Sequence, residues 1–252
     1  MNKENPFEEG VWDIEEYNEQ DIFRERISKR ISYSKPSYPS LKISYLNLRL
    51  MDLKSLDGIE QFKNLQVLDL SYNSIGDISL KEYLKPLKNL KKLKQLYLGN
   101  NYIYNVNGLG YLSNLKLLDL KNNNISNLDG LYDLKNLEEL NLDNNKIRTL
   151  QNLSKLENLK KLTVRNNLLK ELYISSKNKK LNIINVNDNH INDINIFTSL
   201  KQLSVHNNNI TSISHIRKII KFDISVSITV FMKIIFIITY RKLWKLIGKI
   251  GI

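Results

Sequence analysis

Residues 115–137 read LKLLDLKNNNISNLDGLYDLKNL, and the spacing of the aliphatic residues in this stretch decides the fold. With Leu115 as position 1, the pattern is Leu115-x-x-Leu118-x-Leu120-x-x-Asn123-x-Ile125, then Leu128, Leu131, Leu134 and Leu137 at intervals of three. The Leu118-x-Leu120 step alternates faces, so it predicts a short strand with both leucines inward. The interval of three that follows suits 3₁₀ turns better than an α-helix. Asn123 falls where the chain must leave the strand, and its amide can serve backbone groups inside that bend.

The same string recurs in both directions, as a periodic search should establish first. Downstream, Leu137, Leu140, Leu142, Asn145 and Ile147 repeat it, followed by Leu159, Leu162, Val164, Asn167 and Leu169. Leu181, Ile184, Val186, Asn189 and Ile191 come next, then Leu200, Leu203, Val205, Asn208 and Ile210. Upstream lie units beginning at Leu93 (with Asn101), Leu65 (with Asn73) and Ile43, where Met51 replaces the asparagine. Eight units therefore span residues 43–222, and seven asparagines (Asn73, Asn101, Asn123, Asn145, Asn167, Asn189, Asn208) are expected to stack as a ladder. The unit from Leu65 is 28 residues long and the unit from Leu181 is 19, so the two differ from 22 by six and by three. Whole triplets are added or removed from the outer arm, and the strand register is kept. One unit cannot bury its own leucines; stacked units share a core.

The signature Leu-x-x-Leu-x-Leu-x-x-Asn-x-Ile resembles the 22-residue class of leucine-rich repeats, typified by the leucine-rich-repeat regulatory subunit of type-1 protein phosphatase. The resemblance implies an α/β fold: a right-handed solenoid with a parallel β-sheet on its concave face and 3₁₀ or short helical turns on its convex face. It implies a non-enzymatic protein-interaction scaffold, and most specifically a regulatory subunit that holds a type-1-like phosphatase catalytic subunit in the concave face. The class also contains a dynein light chain, a spliceosomal protein, ciliary proteins and bacterial internalins. The alternative is therefore a structural adaptor on a membrane or a cytoskeletal or ciliary assembly.

In such a solenoid, positions 3, 5, 7 and 8 of each unit face the hollow. The expected partner-binding residues are Tyr45, Asn47, Asp69, Tyr72, Tyr97, Asp119, Glu139, Asn141, Asp143, Thr163, Arg165 and His206. Tyrosines supply contact area with a polar tip, and the mixed charges would steer and orient a partner. Acidic and aromatic strand residues are the contacts in the phosphatase subunit, and Tyr97, Asp119, Glu139 and Asp143 resemble them in kind and position.

Charge narrows the partner class. The chain carries a formal +12 over 252 residues, yet its first 22 residues hold eight acids against Lys3 alone. The concave positions hold four bases (Arg49, Lys121, Lys161, Arg165) against five acids, Asp188 completing the set above. The positive excess belongs to the convex arms, edges and tail, as at Lys88, Lys91 and Lys92, so the hollow is no nucleic-acid groove. Absence of cysteine excludes a disulfide framework, a thiolate metal site and a cysteine nucleophile. The three histidines, His190, His206 and His215, accompany no serine motif, phosphate loop or ligand cluster. No catalytic residue, metal or cofactor is expected, and the chain is expected to be a monomer by itself.

The ends do not follow the repeat. Residues 1–40 form an acidic arm, with a capping helix expected over Asp13–Ser32 and a linker over Ser34–Ser40; Ser32, after Lys29 and Arg30, resembles a kinase site. The repeat domain is set at 41–222, with Ile216 and Ile219 expected to continue the last outer arm, and an apolar and basic tail at 223–252. Residues 224–240 admit a solenoid cap, a short membrane segment interrupted by Lys233, or a truncated or misassembled product; the cap is preferred. The acidic start lacks the apolar run of a secretory signal. The expected setting is intracellular, cytoplasmic or nuclear, with a membrane anchor through the tail as the minor reading.

Overall fold

The computed structural model describes residues 43–76 and 79–223. The capping helix, linker, Ser32, Ile78 and the 224–240 segment lie outside these residues.

The fold is a leucine-rich-repeat solenoid. Among the described residues ten strands form one parallel sheet, with β1 (Tyr45–Asn47), β2 (Val67–Asp69), β3 (Gln95–Tyr97), β4 (Leu117–Asp119), β5 (Glu139–Asn141), β6 (Lys161–Thr163) and β8 (Ile183–Asn185) in spatial order. Each strand has three residues, and its middle residue is a buried motif aliphatic: Leu46, Leu68, Leu96, Leu118, Leu140, Leu162, Ile184. The pairing Leu68↔Leu96 absorbs the 28-residue unit without a slip, because the additional residues lie on the outer arm as α1 (Leu80–Tyr83) and a 3₁₀ turn at Lys85–Asn89. That arm presses on the next unit at Gly108: a Cβ there would lie 2.4 Å from the Lys81 Cα, and its φ of +98° already favours glycine.

The triplet rhythm becomes 3₁₀ turns at Ile59–Gln61, Leu109–Tyr111, Asp129–Leu131 and Gln151–Lys155. Leu128, Leu131, Leu134 and Leu137 are all at most 2% exposed, as are Leu120 and Leu142. Every third residue of a 3₁₀ turn points the same way, which is why a period of three builds one face.

The outer arm changes character toward the C-terminus, and here the expectation of turns fails. β7 (Glu171–Ile174) and the first half of β9 (Asp193–Ser204) form a second parallel row on the convex side, Leu172 opposite Ile194 and Ile174 opposite Ile196. β7 belongs to the full 22-residue unit from Leu159, and the first half of β9 to the 19-residue unit from Leu181. In the shorter unit, with three residues fewer to cross the same arm, the chain travels extended at about 3.3 Å per residue rather than coiled at about 2.0 Å. Ile194, Ile196, Thr198 and Leu200 are buried alternately, the period of a strand. The second half of β9 re-enters the inner row, with Leu203 opposite Ile184.

The last strand, β10 (Ser212–Asp223), corrects another expectation. Ile219 stands opposite Leu200 and Phe222 opposite Leu203, so residues 219–223 supply a ninth inner rung rather than more outer arm. Ile219-x-x-Phe222-x-Ile224 has the spacing of the unit start, displaced by 19 residues like its predecessor.

Candidate protein-interaction surface

Four lengthwise rows of polar side chains run from unit to unit, and they determine which residues a partner could engage. The innermost is the asparagine ladder. Asn145 is typical: its Nδ2 donates to the carbonyls of Leu120 (3.0 Å) and Leu142 (3.1 Å), and its Oδ1 accepts from the Ile125 N–H at 2.9 Å. Asn73, Asn101, Asn123, Asn167, Asn189 and Asn208 make equivalent bonds to the preceding coil. All are buried except Asn208, which is partly exposed. In the first unit, where Met51 stands in place of asparagine, its N–H donates to Asn73 Oδ1 at 3.1 Å.

A second row lies at position 8, and the sequence reading missed it. The residue before each ladder position is left-handed in all eight units, with φ between +50° and +59°. Five are asparagine and one is Asp188, the residue types that tolerate this conformation best. Their amides chain together: Asn166 donates to Asn144, Asn144 to Asn122 and Asn122 to Asn100. The row stops there, because the preceding rungs are Leu50 and Tyr72. Asn100 Nδ2 is consequently buried without a hydrogen-bond partner.

Position 5 forms the third row. Asn47, Asp69, Asp119, Asn141 and Asn185 each accept a bond from the backbone N–H two residues on, at 2.8–3.1 Å. Asp69 and Asp119 are 4% and 9% exposed. Both are expected partner contacts, and their carboxylates also close the protein's own turns. Burial raises the Asp119 carboxyl above its ordinary range against the opposing Lys121 N–H bond, and burial likewise raises Asp143. Asp143 Oδ1 accepts from the Arg165 N–H at 2.7 Å, and Thr163 Oγ1 donates to Asn141 Oδ1 at 2.9 Å. Tyr97, between Asp69 and Asp119 in register, donates to Gln95 Oε1 at 3.1 Å. Its phenol is pushed up to about 12, by burial first and then by Asp119, Asp69 and Glu139.

Glu139 and Arg165 are exposed, the former 3.7 Å from Lys161 Nζ and the latter 3.8 Å from Asp188. His206 is half-buried, and its N–H donates to Asn187 Oδ1. At the N-terminal corner the surface turns apolar. Leu50 is 76% exposed and Tyr72, on the adjacent rung, 44%. The Arg49 guanidinium lies over the Tyr72 ring at 4.9 Å, and half-buried Tyr45, Val67, Tyr97 and Leu117 continue across the neighbouring strands.

The fourth row runs along the flank from which the chain enters each strand, at position 2 and the two positions before position 1. It carries Lys63, Lys91, Lys92, Lys94, Lys116, Lys135, Lys160, Lys179, Lys180 and Lys201, all exposed, against Glu138 and Glu157. Glu138 bridges Lys116 (3.0 Å) and Lys160, and these two hold its carboxyl below the usual range, Lys160 foremost. On the opposite flank the composition of the described residues is nearly balanced: Lys54, Lys146, Arg148 and Lys170 against Asp52, Glu171 and Asp193. The basic excess therefore lies on one side of the solenoid. Among the described residues no cluster of three histidines or carboxylates could hold a metal ion, and no helix is long and apolar enough to cross a membrane.

The pattern defining the family "Leucine Rich repeats (2 copies)" matches residues 63–110 and 113–155, so these stretches are leucine-rich repeats. Among solved structures, the chain is similar to internalin C2 of Listeria monocytogenes, with a TM-score of 0.63 and 25% identity over 82% of this chain and 92% of that one. A leucine-rich-repeat protein of Leptospira interrogans is similar at TM-score 0.55 and 29% identity, over 68% of this chain and 50% of that one. Among curated proteins, the 187-kDa microtubule-associated protein AIR9 of Arabidopsis thaliana is 39% identical over 74 residues. That stretch is 29% of this chain and 4% of the relative, so the chain spans a small fraction of its length.

Proposed function

We propose that this chain is a non-catalytic scaffold that grips a protein partner at the N-terminal corner of its concave face, through Leu50, Tyr72 and Arg49 with the adjoining Tyr45, Val67, Tyr97 and Leu117. One observation carries the reading. Position 8 is left-handed in every unit, six units fill it with asparagine or aspartate, and the two that do not present exposed Leu50 and Tyr72 side by side. A bulky residue held left-handed costs on the order of 1–2 kcal/mol. Tyr72 also leaves Asn100 Nδ2 without the acceptor that an asparagine would offer. Local stability is given up at the spot where apolar surface is displayed, the signature of a binding anchor with a charged companion in Arg49.

The finer reading, a regulatory subunit of a type-1-like phosphatase, keeps support from Tyr97, Glu139 and the exposed aromatics. It draws none from Asp119, whose carboxylate is committed to its own turn. The test is a paired substitution, Leu50→Asn with Tyr72→Asn. Stability is expected to rise by about 1–2 kcal/mol in urea denaturation, from relief of the left-handed strain and a partner for Asn100. Capture of specific proteins from cell extract is expected to fall at least about tenfold, the loss of one anchor. Recovery of a phosphatase catalytic subunit by the unsubstituted chain alone establishes the finer reading. Undiminished capture by the variant overturns the corner as the site.

A further inference from the structure

The lysine flank poses a separate question, independent of the corner: what neutralises it. Lys63, Lys94, Lys135, Lys179 and Lys201 have no carboxylate within ion-pair distance among the described residues. From Lys91 to Lys201 the row climbs five rungs, about 24 Å at about 4.8 Å each. With a Debye length of about 8 Å at physiological salt, several lysines act together on one extended polyanion.

We propose that the occupant is the chain's own acidic segment, residues 4–21. From Lys63 to Lys201 the row's side chains are lysine, asparagine, glutamine, serine, threonine and glutamate. It offers no aromatic platform for nucleobases and no apolar side chain to enter a bilayer, which leaves an acidic polypeptide as the chemistry it fits. Residues 1–22 hold eight acids against one base. They also arrive at the right place. The chain enters the first unit at Ile43 and Ser44, and the Ser44 carbonyl accepts from the N–H groups of Gln66 and Val67. Ser44 therefore stands at position 2, the position of Lys94 two rungs on and about 10 Å away. Residues 22–42 span up to about 70 Å when extended, so the whole row is within reach. Tethering holds the acids near the lysines at an effective concentration in the millimolar range, so weak attraction per charge suffices. Docked, the segment covers the flank and keeps other polyanions off it.

Zero-length carbodiimide cross-linking of the full chain, followed by peptide mapping of the monomer, tests this. Links from acids 4–21 to Lys91, Lys92, Lys94 and Lys116 should exceed those to Lys54, Lys146 and Lys170 by at least about fivefold. In about 1 M salt, where the Debye length is about 3 Å, they should fall by a similar factor. The full-length variant carrying Lys91→Glu, Lys92→Glu and Lys94→Glu, with its fold checked by circular dichroism, should lose links to the flank in the same proportion. Equal linkage to both flanks, absence of links in the monomer, or links found only between isotopically light and heavy chains would each overturn the proposal.

Discussion

Replacing Asn145 by alanine tests the physical basis of the whole stack. The substitution removes the acceptor of the Ile125 N–H and the donor to the Leu120 and Leu142 carbonyls, three backbone groups on two neighbouring coils. Each unsatisfied buried group costs about 1–3 kcal/mol, and some solvent entry offsets the largest values, so a loss of about 3–5 kcal/mol is expected. The neighbouring Asn144 provides the control. It is exposed, left-handed at φ +56°, and its side chain bonds to the Asn122 and Asn166 amides of its row. Glycine accepts that conformation without a Cβ penalty, so Asn144→Gly should stay within about 1 kcal/mol of the parent. Urea denaturation followed by circular dichroism measures both variants. Equal losses at the two positions would refute the assignment of stability to the inner ladder, as would an Asn145→Ala loss below about 1 kcal/mol.

Gly130→Ala should lower stability by about 1–3 kcal/mol in thermal melting, because the new Cβ would sit 2.3 Å from the Val106 carbonyl oxygen of the preceding coil. Asp119→Asn should stabilise the fold at neutral pH by up to about 1 kcal/mol, since asparagine keeps an acceptor for the Lys121 N–H as Asn141 does one rung on. The sign follows from the raised carboxyl: Asp119's contribution is complete below its ordinary value of 3.8 and is lost as pH rises through the higher folded value, so the variant's stability should vary less with pH above 3.8. Asp119→Ala, lacking the acceptor, should instead cost about 1 kcal/mol, and Asp119→Asn should draw the Tyr97 phenol down from about 12 in an ultraviolet titration.

The inner strands, their register through the 28-residue unit and the 3₁₀ turns were legible because each rests on one aliphatic period that burial enforces. Leu115 to Leu137 could not have been arranged otherwise without exposing leucine. The convex strands were harder to see, since Leu172-x-Ile174 and Ile194-x-Ile196 change the period from three to two within a repeat that had set the opposite expectation. Asn178 shows the same blindness: it fills a place of the triplet row, where its buried amide donates to the Leu153 and Leu156 carbonyls at 2.9 and 3.3 Å. The turn-closing role of the strand acids was hidden for another reason. Facing the hollow does not make a side chain available, and a carboxylate two residues before a free N–H closes a turn before it meets a partner.

Once the cores, the turns and the two amide rows are assigned, little of the repeat remains free to vary for function. Positions 1, 4, 6, 9 and 11 build the interior, position 8 is restricted by its backbone, and position 5 serves the turn in five units. Positions 3 and 7 are the places where the fold is indifferent to the side chain. Tyr45, Val67, Leu117 and Ile183 at position 3 show how apolar the hollow is permitted to be without cost to the stack. A departure at a restricted position carries more information than any residue at a permissive one, because the fold opposes it. By that criterion Leu50 and Tyr72 outrank the concave charges: each keeps an apolar side chain in water on a backbone suited to asparagine, and Arg49 keeps its charge against the ring of one of them. Selection for stability alone would have extended the amide row to the first unit.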